Sequence, residues 1–159
     1  MMSVVLIAVL LGVASGQTTD LDALYLMTLN VTNKRPSWLQ STPACQWEGV
    51  GCNADGHVVQ IEWSSFNLGG YPNLATLPQG LQYLDVAGNQ LTGNPNLGTL
   101  PQGLQHLDLS INEFTGTPDL AMLPQGLQHV DLSANQLTGT PNLGMLQLGS
   151  LFVTFNVVR

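Results

Sequence analysis

Leu100–Met122 reads LPQGLQHLDLSINEFTGTPDLAM, and this stretch decides the fold because the chain repeats it on both sides. Leu77–Thr99 reads LPQGLQYLDVAGNQLTGNPNLGT, and Leu123–Met145 reads LPQGLQHVDLSANQLTGTPNLGM. Each block is 23 residues long. A fixed period of this length marks a solenoid, in which each unit buries its apolar face only by stacking on its neighbours. Such a fold presents an extended concave surface, so binding is the leading class of function before any site is named.

Working outward, the prolines Pro72, Pro95, Pro118 and Pro141 keep the same spacing of 23. A degenerate block, VVQIEWSSFNLGGYPNLAT, therefore precedes the three good ones. A shortened block, LQLGSLFVTFNVVR, follows. Its Leu148, Leu151, Val153 and Asn156 keep the order of the pattern but arrive two residues early, which places Ser150 beside His129 and Phe152 beside Asp131. The expected architecture is an α/β-type repeat solenoid of about five coils over residues 58–159. Residues 1–16 are expected to be a signal peptide and residues 17–57 a cap.

Within a block, Leu107 and Leu109 alternate with His106, Asp108 and Ser110, the period of a strand with one buried face. Stacked blocks then form a short parallel sheet with strands about 4.8 Å apart. Gly116 and Pro118 break the return arm, and Leu120 and Leu123 face inward from it. Proline lacks an N–H donor, so the arm is expected to be extended or 3₁₀-like rather than a full helix. Asn89, Asn112, Asn135 and Asn156 fall where the chain turns inside the coil. An amide there can satisfy backbone groups that the turn leaves unpaired.

The segment before the repeats has its own logic. Thr19–Val31 bunches Leu21, Leu24, Leu26, Met27 and Leu29 at helical spacing, with Thr19 or Asp20 as N-cap. Asn30-Val31-Thr32 is an N-glycosylation sequon, placing a candidate glycan on Asn30. At the start of the chain, Val4–Val13 is an apolar run of ten followed by small residues, the length of a signal-peptide core and too short to span a bilayer. The chain has two cysteines, Cys45 and Cys52, and in a secreted protein these should pair.

Charge narrows the partners. Of 159 residues only 8% are charged, and the net charge is −7 with three strong bases in all. None of those bases lies in the four repeats before the last block, which excludes a phosphate-binding surface and hence nucleic acid. The chain is expected to be neither membrane-spanning nor dependent on a cofactor or resident metal.

The block L-x-x-L-x-L-x-x-N-x-L, carried by Leu104, Leu107, Leu109, Asn112 and Phe114, resembles the leucine-rich repeat family. The L-T-G-x-P segment is similar to the plant-type subclass, although that subclass has one more aliphatic residue before the proline and a 24-residue period. Trp38, Cys45, Trp47, Gly49, Val50 and Cys52 resemble the family's amino-terminal cysteine cap. The LPQGLQHLDLS repetition is also similar to secreted and surface leucine-rich repeat proteins of kinetoplastid protists. The resemblance implies a concave parallel sheet, a 3₁₀ or extended convex side, a small helical cap, a Cys45–Cys52 bridge and a location at the cell exterior.

The concave face then carries the candidate site. One outward column is Gln60, Tyr83, His106 and His129, and the next is Glu62, Asp85, Asp108 and Asp131. The plainest role for the aspartates is to hydrogen-bond neighbouring serine or backbone groups at the sheet surface. The competing roles are a contact surface for a basic protein, with Tyr83, Asp85, His106, Asp108, His129 and Asp131 as binding residues, or a cation site of calcium type. A protein or glycan ligand fits the first of these competing roles, and display without a ligand is the alternative. Ser110, His106 and Asp108 share one strand face, but same-face neighbours lie about 6.6 Å apart. With no Gly-x-Ser-x-Gly elbow, catalysis is not expected. An open apolar end at Leu151, Val153 and Phe155 would favour self-association.

Overall fold

The computed structural model describes residues 19–139 and 152–154. The expected signal peptide, Ser150, Asn156 and the side chains of Leu151, Val153 and Phe155 lie outside the described residues. So does the apolar end on which self-association was expected to rest.

The chain begins with helix α1 (Asp20–Met27), capped by the Thr19 side chain, which accepts from the Asp22 N–H. Of the two candidate caps, Asp20 has another task. Its Oδ2 accepts the Val58 N–H at 2.7 Å and so ties the helix to the first repeat. Leu24 and Met27 are fully buried, while Leu29 is exposed beyond the helix end.

The strands form two sheets rather than the one expected. The first contains β2 (Val50–Cys52), β3 (Val58–Glu62), β5 (Tyr83–Asp85), β7 (His106–Asp108), β9 (His129–Asp131) and β11 (Phe152–Thr154), in the spatial order 11-9-7-5-3-2. All its pairings are parallel except β2 on β3. The second contains β1 (Val31–Thr32), β4 (Gly69–Gly70), β6 (Gln90–Gly93), β8 (Glu113–Gly116) and β10 (Gln136–Leu137), in that order. The return arms carry 3₁₀ turns at Leu74–Thr76, Leu97–Thr99 and Leu120–Met122, as the prolines require. Each is capped by a side-chain oxygen, from Asn73, Asn96 and Asp119 respectively.

Leucine fills the space between the sheets. Leu84, Leu104, Leu107 and Leu109 have no exposed surface. The asparagine ladder joins the two sheets. Asn112 Nδ2 donates to the carbonyls of Val86, Leu109 and Ser110 at 2.9, 3.2 and 3.0 Å, and its Oδ1 accepts the Leu91 N–H at 3.0 Å. Asn89 and Asn135 repeat this pattern one coil earlier and one coil later.

The last strand departs from the sequence reading. Phe152 pairs with His129, Val153 with Val130 and Thr154 with Asp131, so the full offset of 23 is kept and the block is not two residues early. Leu151, Val153 and Phe155 alternate with period two, so their hydrophobicity is unchanged by a two-residue slip and cannot fix the register.

At the other end, Cys45 and Cys52 are bridged. Trp38 and Trp47, both buried, close the first coil, and Trp38 lies 3.9 Å from the ring of Trp63. The indole N–H groups of Trp38 and Trp63 both donate to the Glu48 carbonyl, each at 3.0 Å. Gly49 has φ +78°, and a Cβ there would strike the Glu62 carbonyl, so the turn into β2 requires glycine.

Candidate functional site

The concave face is built from the outward positions of β3, β5, β7 and β9. Register places Gln60, Tyr83, His106 and His129 in one column and Glu62, Asp85, Asp108 and Asp131 in the next. All six predicted binding residues are therefore brought together, each half-buried.

Their side chains form a layered arrangement. The Tyr83 and His106 rings stack with centroids 4.1 Å apart and planes 4° from parallel. His106 and His129 continue the stack at 4.4 Å and 9°. The contacts are closer than the strand spacing, so the rings lean together and cover one another's faces. What the column offers to a visitor is its edges: a phenol hydroxyl and imidazole nitrogens.

The aspartates perform the structural task expected of them. Asp85 Oδ1 accepts the Ala87 N–H at 2.9 Å, while Asp108 and Asp131 accept those of Ser110 and Ser133 at 2.8 Å. In Asp85 and Asp108 this bond uses one oxygen and leaves the other able to face a ligand, whereas Asp131 takes further hydrogen bonds from the side chains of Ser133 and Thr154. Burial, and then the neighbouring Asp108, push the Asp85 carboxyl above its ordinary range. Burial would also raise Asp131, but hydrogen bonds from Ser133 outweigh it and lower the group. Burial and then His129 hold His106 below the ordinary histidine range. Burial, followed by Asp85, raises the Tyr83 phenol. The middle of the face is thus crowded with negative charge that a cation would relieve.

Ser110 is 6% exposed, and His106 is held between two rings, so the Ser–His–Asp set is not presented as a catalytic group. A feature that sequence reasoning missed lies at the rim. Ile111 is 61% exposed and has φ +52°, in the left-handed region. Its counterparts Ser65, Gly88 and Ala134 share that conformation, so the turn imposes it and the sequence places a β-branched residue there regardless.

These elements define a disulfide-capped repeat solenoid with an open, acidic concave face. Residues 17–53 match the leucine rich repeat N-terminal domain family, and residues 80–101 match the Leucine Rich Repeat family. The fold is that of a leucine-rich repeat solenoid with an amino-terminal cap. It is similar to the BIR2 ectodomain from Arabidopsis thaliana, with 29% identity, a TM-score of 0.68, and coverage of 86% of this chain and 81% of that one. The Arabidopsis receptor kinase HAESA ectodomain, in complex with an extended IDA peptide hormone, is 29% identical with a TM-score of 0.68. That match covers 84% of this chain and 25% of the HAESA chain. HAESA in complex with IDA and the co-receptor SERK1 is 25% identical with a TM-score of 0.65, covering 86% of this chain and 30% of that one. No curated protein sequence matches the chain. Among the described residues no helix is long and apolar enough to cross a membrane.

Proposed function

We propose that the chain is an extracellular, non-catalytic binding module that takes a basic segment of another protein on its concave face. The observation that carries this reading is the ring column Tyr83–His106–His129 lying beside the carboxylate row Asp85–Asp108–Asp131. A row of carboxylates attracts lysine and arginine, and the ring edges add hydrogen-bonding groups beside it. HAESA, which shares the fold, binds a peptide hormone, and this supports a peptide or protein as the class of ligand. A glycan is less well served. Sugars pack against the faces of aromatic rings, and here those faces are largely spent on one another. The disulfide, the signal-peptide pattern of residues 1–16 and the exposed Asn30 sequon support an exterior location and a glycosylated chain.

The test is selection from a displayed peptide library against the protein and against Asp85→Asn/Asp108→Asn/Asp131→Asn, both in chelator-treated buffer. The expected ligands are rich in lysine or arginine, weaken as salt screens the face, and fail to bind the triple variant. Recovery of acidic ligands, or of ligands that bind both proteins equally, would overturn the reading.

A further inference from the structure

His106, Asp108 and His129 can each present one donor atom such that all three lie within 4.8 Å of one another. A tetrahedral site with metal–nitrogen bonds of about 2.0–2.1 Å needs donors about 3.3 Å apart, a difference that side-chain rotations of these half-buried residues close by turning the imidazoles out of their stack. The two imidazoles stand side by side on adjacent strands, with ring centroids 4.4 Å apart. Asp108 is fixed through Oδ1 by the Ser110 N–H, which leaves Oδ2 for a metal. A carboxylate that orients itself by a backbone bond while ligating through its other oxygen is a common support for a metal site.

We propose that His106, Asp108 and His129 bind a divalent transition-metal ion of zinc type, and that its open coordination position is filled by a donor side chain of the bound protein. Two imidazoles and one carboxylate suit zinc, copper or nickel rather than calcium, which prefers six or more oxygens. This replaces the calcium-type cation site read from the carboxylate row alone, and it sets aside the expectation of no metal. Neutral imidazole is the ligating form, so binding is expected to weaken as pH falls and protons compete for the ring nitrogens. Glu62, Asp85 and Asp131 surround the site with negative charge that concentrates cations there. Three protein ligands with one position left open is the arrangement of zinc sites that exchange their fourth ligand. The metal site stands on its own geometry, whereas its use as a clamp rests on the face being a protein-binding surface.

The experiment is a zinc titration of the partner-free protein, followed by calorimetry and by imidazole resonances of the ¹³C-histidine-labelled chain. The expected result is saturation at one ion per chain, with the His106 and His129 signals shifting and His57 unmoved. His106→Gln and His129→Gln are each expected to abolish saturation while retaining the wild-type circular dichroism spectrum. If either variant unfolds, Asp108→Asn serves instead, with an expected large loss of affinity. Absence of saturable binding, binding that survives both histidine changes, or equal shifts at His57 would overturn the proposal. Peptide selection in chelator reads the protein-binding face without metal, so failure of one reading is distinguishable from failure of the other.

Discussion

Asn112 shows how a single residue type can be read through to its role. Its position in the block and the polarity of its side chain predict an amide that pairs buried backbone groups, and the structure gives it four such partners while leaving it 7% exposed. Asn112→Ala strands those groups and is expected to cost about 1–3 kcal/mol, measured by urea unfolding. An unchanged midpoint would remove the ladder as a source of stability. Ile111 is the converse case. Nothing in its identity announces a left-handed backbone, because the conformation is set by the turn and its hydrogen bond to Ser133 O. A β-branched residue pays about 1–2 kcal/mol for that region, and asparagine tolerates it better. Ile111→Asn is therefore expected to stabilise the protein by about 1 kcal/mol, and a lower melting temperature for that variant would contradict the strain argument.

At the scale of elements, the concave strands and the broken return arms were legible because each depends on a local pattern: leucine with period two, and proline at a fixed step. The second sheet was not legible. Its strands pair only through the stacking of whole coils, and residues such as Gly69-Gly70 carry no strand signal of their own. The register of β11 was misread for the related reason that alternating apolar residues look the same after a slip of two. The ring stack lies between these cases, since the column follows from the repeat but the parallel contact of its rings does not. That stack has a consequence for stability against pH. His106 has a folded pKa below its unfolded value of about 6.5, so the unfolded chain takes up the proton first. The resulting stabilisation is complete above about pH 6.5 and is lost as pH falls toward the folded value. Asp85 acts with the opposite sign, because its raised carboxyl costs stability as pH rises above the unfolded value of about 3.9, a window at lower pH. Thermal melts from pH 7 to pH 5.5 are expected to show a fall in the wild type that is smaller in His106→Phe, which keeps a ring in the stack. Equal falls would place the titration elsewhere.

Over the whole molecule, the division of labour is between a uniform scaffold and a short outward set. The leucine core could be assigned from the repeat pattern, and the cap from the resemblance of Trp38, Cys45, Trp47, Gly49, Val50 and Cys52 to the family's amino-terminal cap. The columns of the concave face could be laid out from the repeat, but the ring stack could not, since it arises from side chains on different coils. A net charge of −7 with few bases is the electrostatic ground for the proposed basic partner, and the carboxylates of the concave sheet concentrate that character on one side. The three histidines offer a direct reading of where a partner sits, because His106 and His129 lie in the proposed face while His57 is exposed in the cap. The most direct measurement is titration of the ¹³C-histidine-labelled protein with a selected basic peptide in chelator. The account predicts that the His106 and His129 resonances shift together and saturate while His57 stays in place. Shifts at His57 alone, or saturable binding that leaves all three unmoved, would contradict it.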